Sequence, residues 1–149
     1  MKRTLLLAAA GITAGLAAAA YFKSPTATEA VVTGQSAVET KQARPLVEVN
    51  LPAELSPLAQ TGEKAFDAVC AACHGTGGVG NDGVGPPLVH KIYEPNHHGD
   101  MSFLMAVTQG VRAHHWTFGD MPPQEGLTQG DVRAIVAYVR ELQRFNGIE

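Results

Sequence analysis

Apolar residues recur on a helical rhythm in two stretches of this chain and only briefly between them. In the first stretch, Leu58, Gly62, Ala65, Phe66, Val69 and Cys73 follow one another at three- and four-residue steps, the spacing of an amphipathic helix. Ser56-Pro57 opens it as a capping residue followed by proline at the first helical position. In the second, Val132, Ile135, Val136, Val139 and Leu142 form one apolar stripe, and Asn146-Gly147 closes it. Thr128 with Asp131 three residues later resembles a capping box in which Asp replaces the usual Glu or Gln. Between them, Asp100 is placed to cap a short helix from Met101 to about Gln109, closed by Gly110. No stretch alternates as a strand does. The pattern predicts an all-α domain over residues 56–149 with three main helices.

The rest of the chain reads differently. Residues 1–22 form a signal or anchor segment, with Lys2 and Arg3 ahead of 18 uncharged residues from Leu5 to Phe22. That length lies between a cleavable leader and a membrane span. Ala18-Ala19-Ala20 offers a cleavage site, whereas Tyr21-Phe22-Lys23 resembles an interfacial belt that would be kept. Both outcomes export the following domain. Residues 23–55 read as a flexible tether, rich in Thr, Ala, Val, Pro and Gln, with a root-mean-square span on the order of 30 Å for about thirty residues.

Charge narrows the partners. The whole chain carries a formal charge of -3, and residues 58–149 hold six Lys/Arg against ten Asp/Glu. No basic footprint for nucleic acid exists. An acidic carrier of this kind docks on positive or neutral, largely apolar patches, with salt-sensitive rates.

The chemistry sits at Cys70-Ala71-Ala72-Cys73-His74, which contains both cysteines of the chain. Thiols three residues apart lie on one helix face and can reach two vinyl groups of one porphyrin. The adjacent His74 is carried under the ring to ligate iron. A thioredoxin-like site would need a βαβ setting, and a zinc site would need two further soft ligands at close spacing. The expected cofactor is therefore one haem c, covalent through Cys70 and Cys73, with its iron. The loop from Gly75 to Gly85 holds six glycines and a literal G-x-G-x-x-G at Gly78, Gly80 and Gly83. With a helix rather than a strand before it, that match is spurious as a dinucleotide site.

The second axial ligand is expected at Met121, within Phe118-Gly119-Asp120-Met121-Pro122-Pro123, where two prolines stiffen the loop. Other residues stay in view. His97, His98, His114 or His115 could replace Met121, although paired histidines in a polar loop are more often solvated or bonded to backbone. Met101 and Met105 are one turn apart, as core residues are. Trp116 either bonds a haem propionate through its indole N–H or packs on the ring. Tyr93 and Arg112 are further propionate candidates.

Four groups together resemble the bacterial class I cytochromes c across residues 58–149. They are Gly62-x-x-x-Phe66-x-x-x-Cys70-x-x-Cys73-His74, Gly85-Pro86-Pro87-Leu88, Met121-Pro122-Pro123 and Ile135-x-x-Tyr138. The resemblance implies a small cytochrome c-like domain of three main helices wrapped around one haem. It also implies that Gly62 and Phe66 pack on Ile135 and Tyr138, and that the Pro86 carbonyl accepts a hydrogen bond from His74. Residues 90–116 do not match the family pattern residue by residue.

With His74 and Met121 both on iron, no position is open to substrate. The expectation is an electron-transfer protein and not an enzyme: a one-electron carrier in a periplasmic respiratory or photosynthetic chain. Its redox partners would be a quinol-oxidising complex, an oxidase or a reductase, with residues 5–22 as membrane contact and the bacterial inner membrane as its site. A haem c subunit of one dehydrogenase or oxidase is the close alternative. A sensor or peroxidase with a labile Met121 is the third.

Overall fold

The structure, a computed structural model, describes residues 44–149. Four α-helices run in order: α1 (Pro57–Val69), α2 (Ala71–His74), α3 (Asp100–Gln109) and α4 (Gln129–Phe145). Single 3-10 turns occur at Thr76–Gly78 and Lys91–Tyr93. Among the described residues no strand forms, and the only ladder-like pairs are the isolated bridges Asn81–Gly85 and Val111–Met121. The all-α class therefore holds. The signal or anchor segment and most of the tether lie outside the described residues. No helix among those described is long and apolar enough to cross a membrane.

The local chemistry of the helix ends behaves as the sequence predicts at four termini, among them Gly110 closing α3. Ser56 Oγ accepts the Ala59 N–H at 3.3 Å, and Pro57 stands at the first helical position. Thr128 Oγ1 accepts the Asp131 N–H, while the Asp131 carboxylate accepts the Thr128 N–H at 2.8 Å. That reciprocal pair closes a capping box despite the Asp substitution, and it holds the Asp131 carboxyl below its ordinary pKa. Asn146 caps α4 at its far end.

Two predicted elements differ. The first helix does not run unbroken to Cys73. It kinks at Cys70, which ends α1 through a hydrogen bond to Phe66 and opens the one-turn α2. The main helices thus number three long ones plus this short one. At α3 the cap is Gly99, and Asp100 occupies the first turn instead. The reason lies across the core: Arg140 Nε donates to Asp100 Oδ1 at 2.8 Å, so the carboxylate is drawn away from its own helix end.

Helix α1 crosses α4 at closest approach beside Gly62. A Cβ at Gly62 would lie 1.9 Å from the Ala134 carbonyl oxygen, so only glycine permits this contact. One turn on, the Phe66 and Tyr138 rings meet at 5.5 Å, tilted by 59°. The core around them contains Ala59, Leu88, Val89, Ile135, Val139 and Leu142. A second cluster of Val107, Val132 and Val136 seats α3 on α4.

Residues 44–55, read from sequence as part of the tether, lie along this domain. The Leu46 and Val47 amides donate to the Val79 carbonyl at 3.1 and 3.2 Å. Val49 and Leu55 pack on the main core. Asn50 and Asn146 exchange two hydrogen bonds, at 2.8 and 2.9 Å. The Arg44–Asp82 ion pair is largely exposed and adds little. Apolar runs as short as Leu46-Val47 need no core of their own when an existing one has room for them.

Arg140 and Gln143 are buried in the middle of the α4 stripe. Arg140 donates to the Tyr93 carbonyl (2.7 Å), the His98 carbonyl and Gln143 Oε1 (2.6 Å). Gln143 Nε2 donates to the Leu88 carbonyl at 2.8 Å. The guanidinium also lies 4.9 Å from the Phe103 ring centroid. These bonds hold the irregular segment 88–98, which has few other means of order. Arg140→Met is expected to cost about 2–4 kcal/mol, because it strands buried carbonyl oxygens. A urea midpoint on the haem-loaded protein measures this; a loss within about 0.5 kcal/mol would show the network to be dispensable.

Candidate functional site

The kink at Cys70 sets the geometry of the site. Past it, α2 turns so that His74 is buried while Cys73 stays exposed and Cys70 half-buried. Both cysteines are free thiols. Burial, and secondarily the neighbouring Cys73, push the Cys70 thiol up to about 11. A reactive thiolate is favoured by the opposite shift.

The glycine loop folds back beneath α2. Gly80 N–H donates to the His74 carbonyl at 2.6 Å, and Asn81 Nδ2 donates to the Ala72 carbonyl at 3.0 Å. Gly85 passes so close that a Cβ there would lie 2.5 Å from the Cys73 carbonyl oxygen. That approach brings the Pro86 carbonyl 2.8 Å from His74 Nδ1. Burial pulls the His74 pKa down, opposed by this hydrogen bond. Because a carbonyl only accepts, the His74 proton lies on Nδ1 facing Pro86, and the neutral ring leaves its Nε2 lone pair available to a metal.

Met121 stands on a separate segment. Its amide and carbonyl pair with Val111, both at 2.9 Å, and the Asp120 carboxylate accepts the Ala113 N–H at 2.8 Å. Loop 111–121 is therefore closed at its base with Met121 half-buried. Within it, the Trp116 and Phe118 rings stack at 5.7 Å, and His90 meets Trp116 edge-on at 5.4 Å. Trp116 Nε1 is buried without a hydrogen-bond partner. The indole N–H partly offsets the upward push of burial on the Tyr93 hydroxyl, yet the two do not meet in hydrogen-bond geometry.

The paired histidines behave partly as expected of polar loops: His98 Nδ1 bonds the Ile92 carbonyl at 2.6 Å and His114 Nδ1 the Arg112 carbonyl at 2.8 Å. Their assembly into one cluster with His97 and His115 was not readable, since α3 separates the two pairs in sequence. Partial desolvation, then His114, His98 and His97, hold His115 below the ordinary imidazole range. Arg140 also escaped the sequence reading. The only available signal was a charged residue on an otherwise apolar helix face.

A sequence profile of the family described as cytochrome c oxidase, cbb3-type, subunit III matches residues 57–139, which is more than half of the chain. The chain belongs to this family. Among its relatives is the cbb3-type cytochrome c oxidase subunit FixP of Bradyrhizobium diazoefficiens, 37% identical over 94 residues. That match covers 62% of this chain and 30% of FixP, so the chain spans less than a third of that relative. Cytochrome cL from the marine methylotroph Methylophaga aminisulfidivorans MPT is similar at 27% identity over 58% of this chain and 53% of that one, with a TM-score of 0.43.

Membership makes this a bacterial c-type cytochrome domain, and haem c with its iron the cofactor. The residues of this chain fit that group. A buried imidazole directs a free Nε2 away from Pro86, and two free thiols precede it at the required spacing. The orphaned Trp116 N–H is a buried donor awaiting an acceptor, as a carboxylate of the cofactor would be.

Proposed function

We propose that this chain is a haem c electron-transfer subunit of a cbb3-type oxidase complex, facing the bacterial periplasm. Cys70 and Cys73 would hold the haem covalently, and His74 and Met121 would hold its iron. The observation that carries the reading is the buried His74 ring, its Nδ1 proton committed to Pro86, directly after the cysteine pair in a stretch that matches the family.

Haem c supplies a one-electron ferrous/ferric couple when bound. The chain's residues do the rest. Pro86 fixes the His74 tautomer and ring plane. The Val111–Met121 pairing holds the thioether side chain on a closed loop, so little moves when charge changes. A soft sulfur ligand favours the ferrous state and raises the potential. Trp116 donates to a propionate.

A lasting subunit contact is favoured over a diffusing carrier by an open groove in which Leu58, Met101, Leu104, Val132 and Val136 lie beside the charged Asp100, Arg133, Glu141 and Arg144. Residues 5–22 supply a membrane contact if they are retained as an anchor; as a cleaved leader they only export the domain. This role makes the chain a component of an oxidase and not a catalyst by itself.

A redox titration with absorption spectra tests the ligand set. The haem-loaded protein is expected to bind no carbon monoxide when reduced at neutral pH. Met121→Ala is expected to bind it readily, with the potential lowered by on the order of 0.2 V, within the ~0.8 V that axial ligands span. Rapid carbon monoxide binding by the unaltered protein would favour a sensor or peroxidase. Loss of co-purification with oxidase subunits at high salt would favour the free carrier.

A further inference from the structure

Two histidine pairs flank α3 in sequence and meet on one side of it in space. The His97 ring lies 4.6 Å from His98 and 5.1 Å from His115, and His98 lies 5.2 Å from His115. His114 adjoins both His115 (4.3 Å) and His98 (5.9 Å). One ring nitrogen from each of His97, His98 and His115 falls within 4.8 Å of the others. This clustering is outside the residues proposed for haem c, and that assignment leaves it unexplained.

The surroundings are those of ligands rather than of ion pairs. None of the four imidazoles pairs with a carboxylate among the described residues. The nearby Asp100 carboxylate is taken by Arg140, and Asp120 is taken by the Ala113 amide. The rings of His97, His98 and His115 are mutually adjacent, the arrangement in which imidazoles can share one cation. His98 spends Nδ1 on the Ile92 carbonyl and leaves Nε2 free, the backbone-oriented arrangement common to metal-bound histidine.

The backbone on both sides is already held. The His98 carbonyl accepts a hydrogen bond from Arg140 Nη2. The loop bearing His115 is closed by the Val111–Met121 pair and by Asp120. Metal–nitrogen bonds of about 2.0–2.1 Å put tetrahedral ligand nitrogens about 3.3 Å apart. Closing the gap from 4.8 Å therefore asks for side-chain rotation only, and His97 and His115 are both exposed and free to rotate.

We propose that His97, His98 and His115 form a binding site for one divalent late first-row metal ion, of the zinc or copper(II) type, with water in the fourth position. Imidazole donors without thiolate or carboxylate suit these ions and not calcium or magnesium.

The test is isothermal titration of the purified haem-loaded protein with zinc chloride and, separately, with copper(II) sulfate, nickel(II) chloride and magnesium chloride. The expected result is one ion per chain, copper tighter than nickel and than zinc, and no magnesium binding. His97→Ala and His115→Ala, both at exposed positions, should each weaken zinc binding at least about tenfold and leave the haem spectrum unchanged. Excess zinc should raise the melting temperature of the unaltered protein and not of these variants. More than one ion per chain, or a loss under about threefold in each variant, is what scattered surface histidines give and would overturn the site. A changed haem spectrum in either variant would also overturn it, by making that histidine an iron ligand. Failure of the Met121 assignment alone would leave these readouts intact.

Discussion

Replacing both Cys70 and Cys73 by serine is expected to leave little folded protein. The buried apolar set of this domain is small, and much of it lies on the α1–α4 crossing rather than around His74. A glycine-rich loop and irregular segment 111–121 make up the rest of the His74 and Met121 surroundings. The apolar face of a porphyrin is what such a chain lacks, so binding it is coupled to folding. The Trp116 N–H is a buried polar atom left without a partner in the haem-free chain, and it adds a desolvation cost. Accumulation should fall at least about tenfold, the effect of only ~1.4 kcal/mol on a marginal domain. Periplasmic yield, haem staining and far-ultraviolet circular dichroism measure it. A normal helical spectrum from the double variant without haem would refute the coupling.

The second large effect is expected at Gly62→Ala. The new Cβ would stand 1.9 Å from the Ala134 oxygen, 2.4 Å from its carbonyl carbon and 2.9 Å from the Ile135 nitrogen. All three are backbone atoms, so no side chain can swing aside. The helices must separate, and the Phe66–Tyr138 contact and the core beside it open with them. Overpacking of this kind costs about 1–3 kcal/mol or more. Alanine's better helix propensity returns only about 1 kcal/mol. A net loss of about 2 kcal/mol corresponds to a melting temperature lower by on the order of 10 °C. Gly130→Ala is the matched control. Its Cβ meets only Thr128 Oγ1, at 3.4 Å, and it should be close to neutral. Equal melting temperatures for the two variants would refute the close-approach argument.

Much of this fold is readable from local patterns. Ser56-Pro57, Thr128 with Asp131, and the Val132-to-Leu142 stripe each act within one or two helical turns, and the structure keeps them all. The resemblance to class I cytochromes c places Pro86 at His74 and Phe66 on Tyr138, and those contacts are present. What local pattern misses depends on distant partners. Asp100 reads as a cap until Arg140, 40 positions away in sequence, takes its carboxylate. The Leu46-Val47 run reads as tether because its acceptor, the Val79 carbonyl, belongs to a loop with no periodicity. The histidine cluster is invisible because α3 separates its two halves. Nothing in spacing alone tells whether a ten-residue helix will bring its flanks back together.

The Asn50–Asn146 clasp and the strap of residues 44–55 define a mechanical route. A pull arriving along the chain from its amino-terminal side is met first at Asp82 and Val79. These belong to the loop whose Gly80 amide grips the His74 carbonyl. Tension therefore passes beside His74 before Asn50 and Asn146 share the load with the end of α4. Were the domain held by its leading end, this path would put the loop that grips the His74 carbonyl in the line of force.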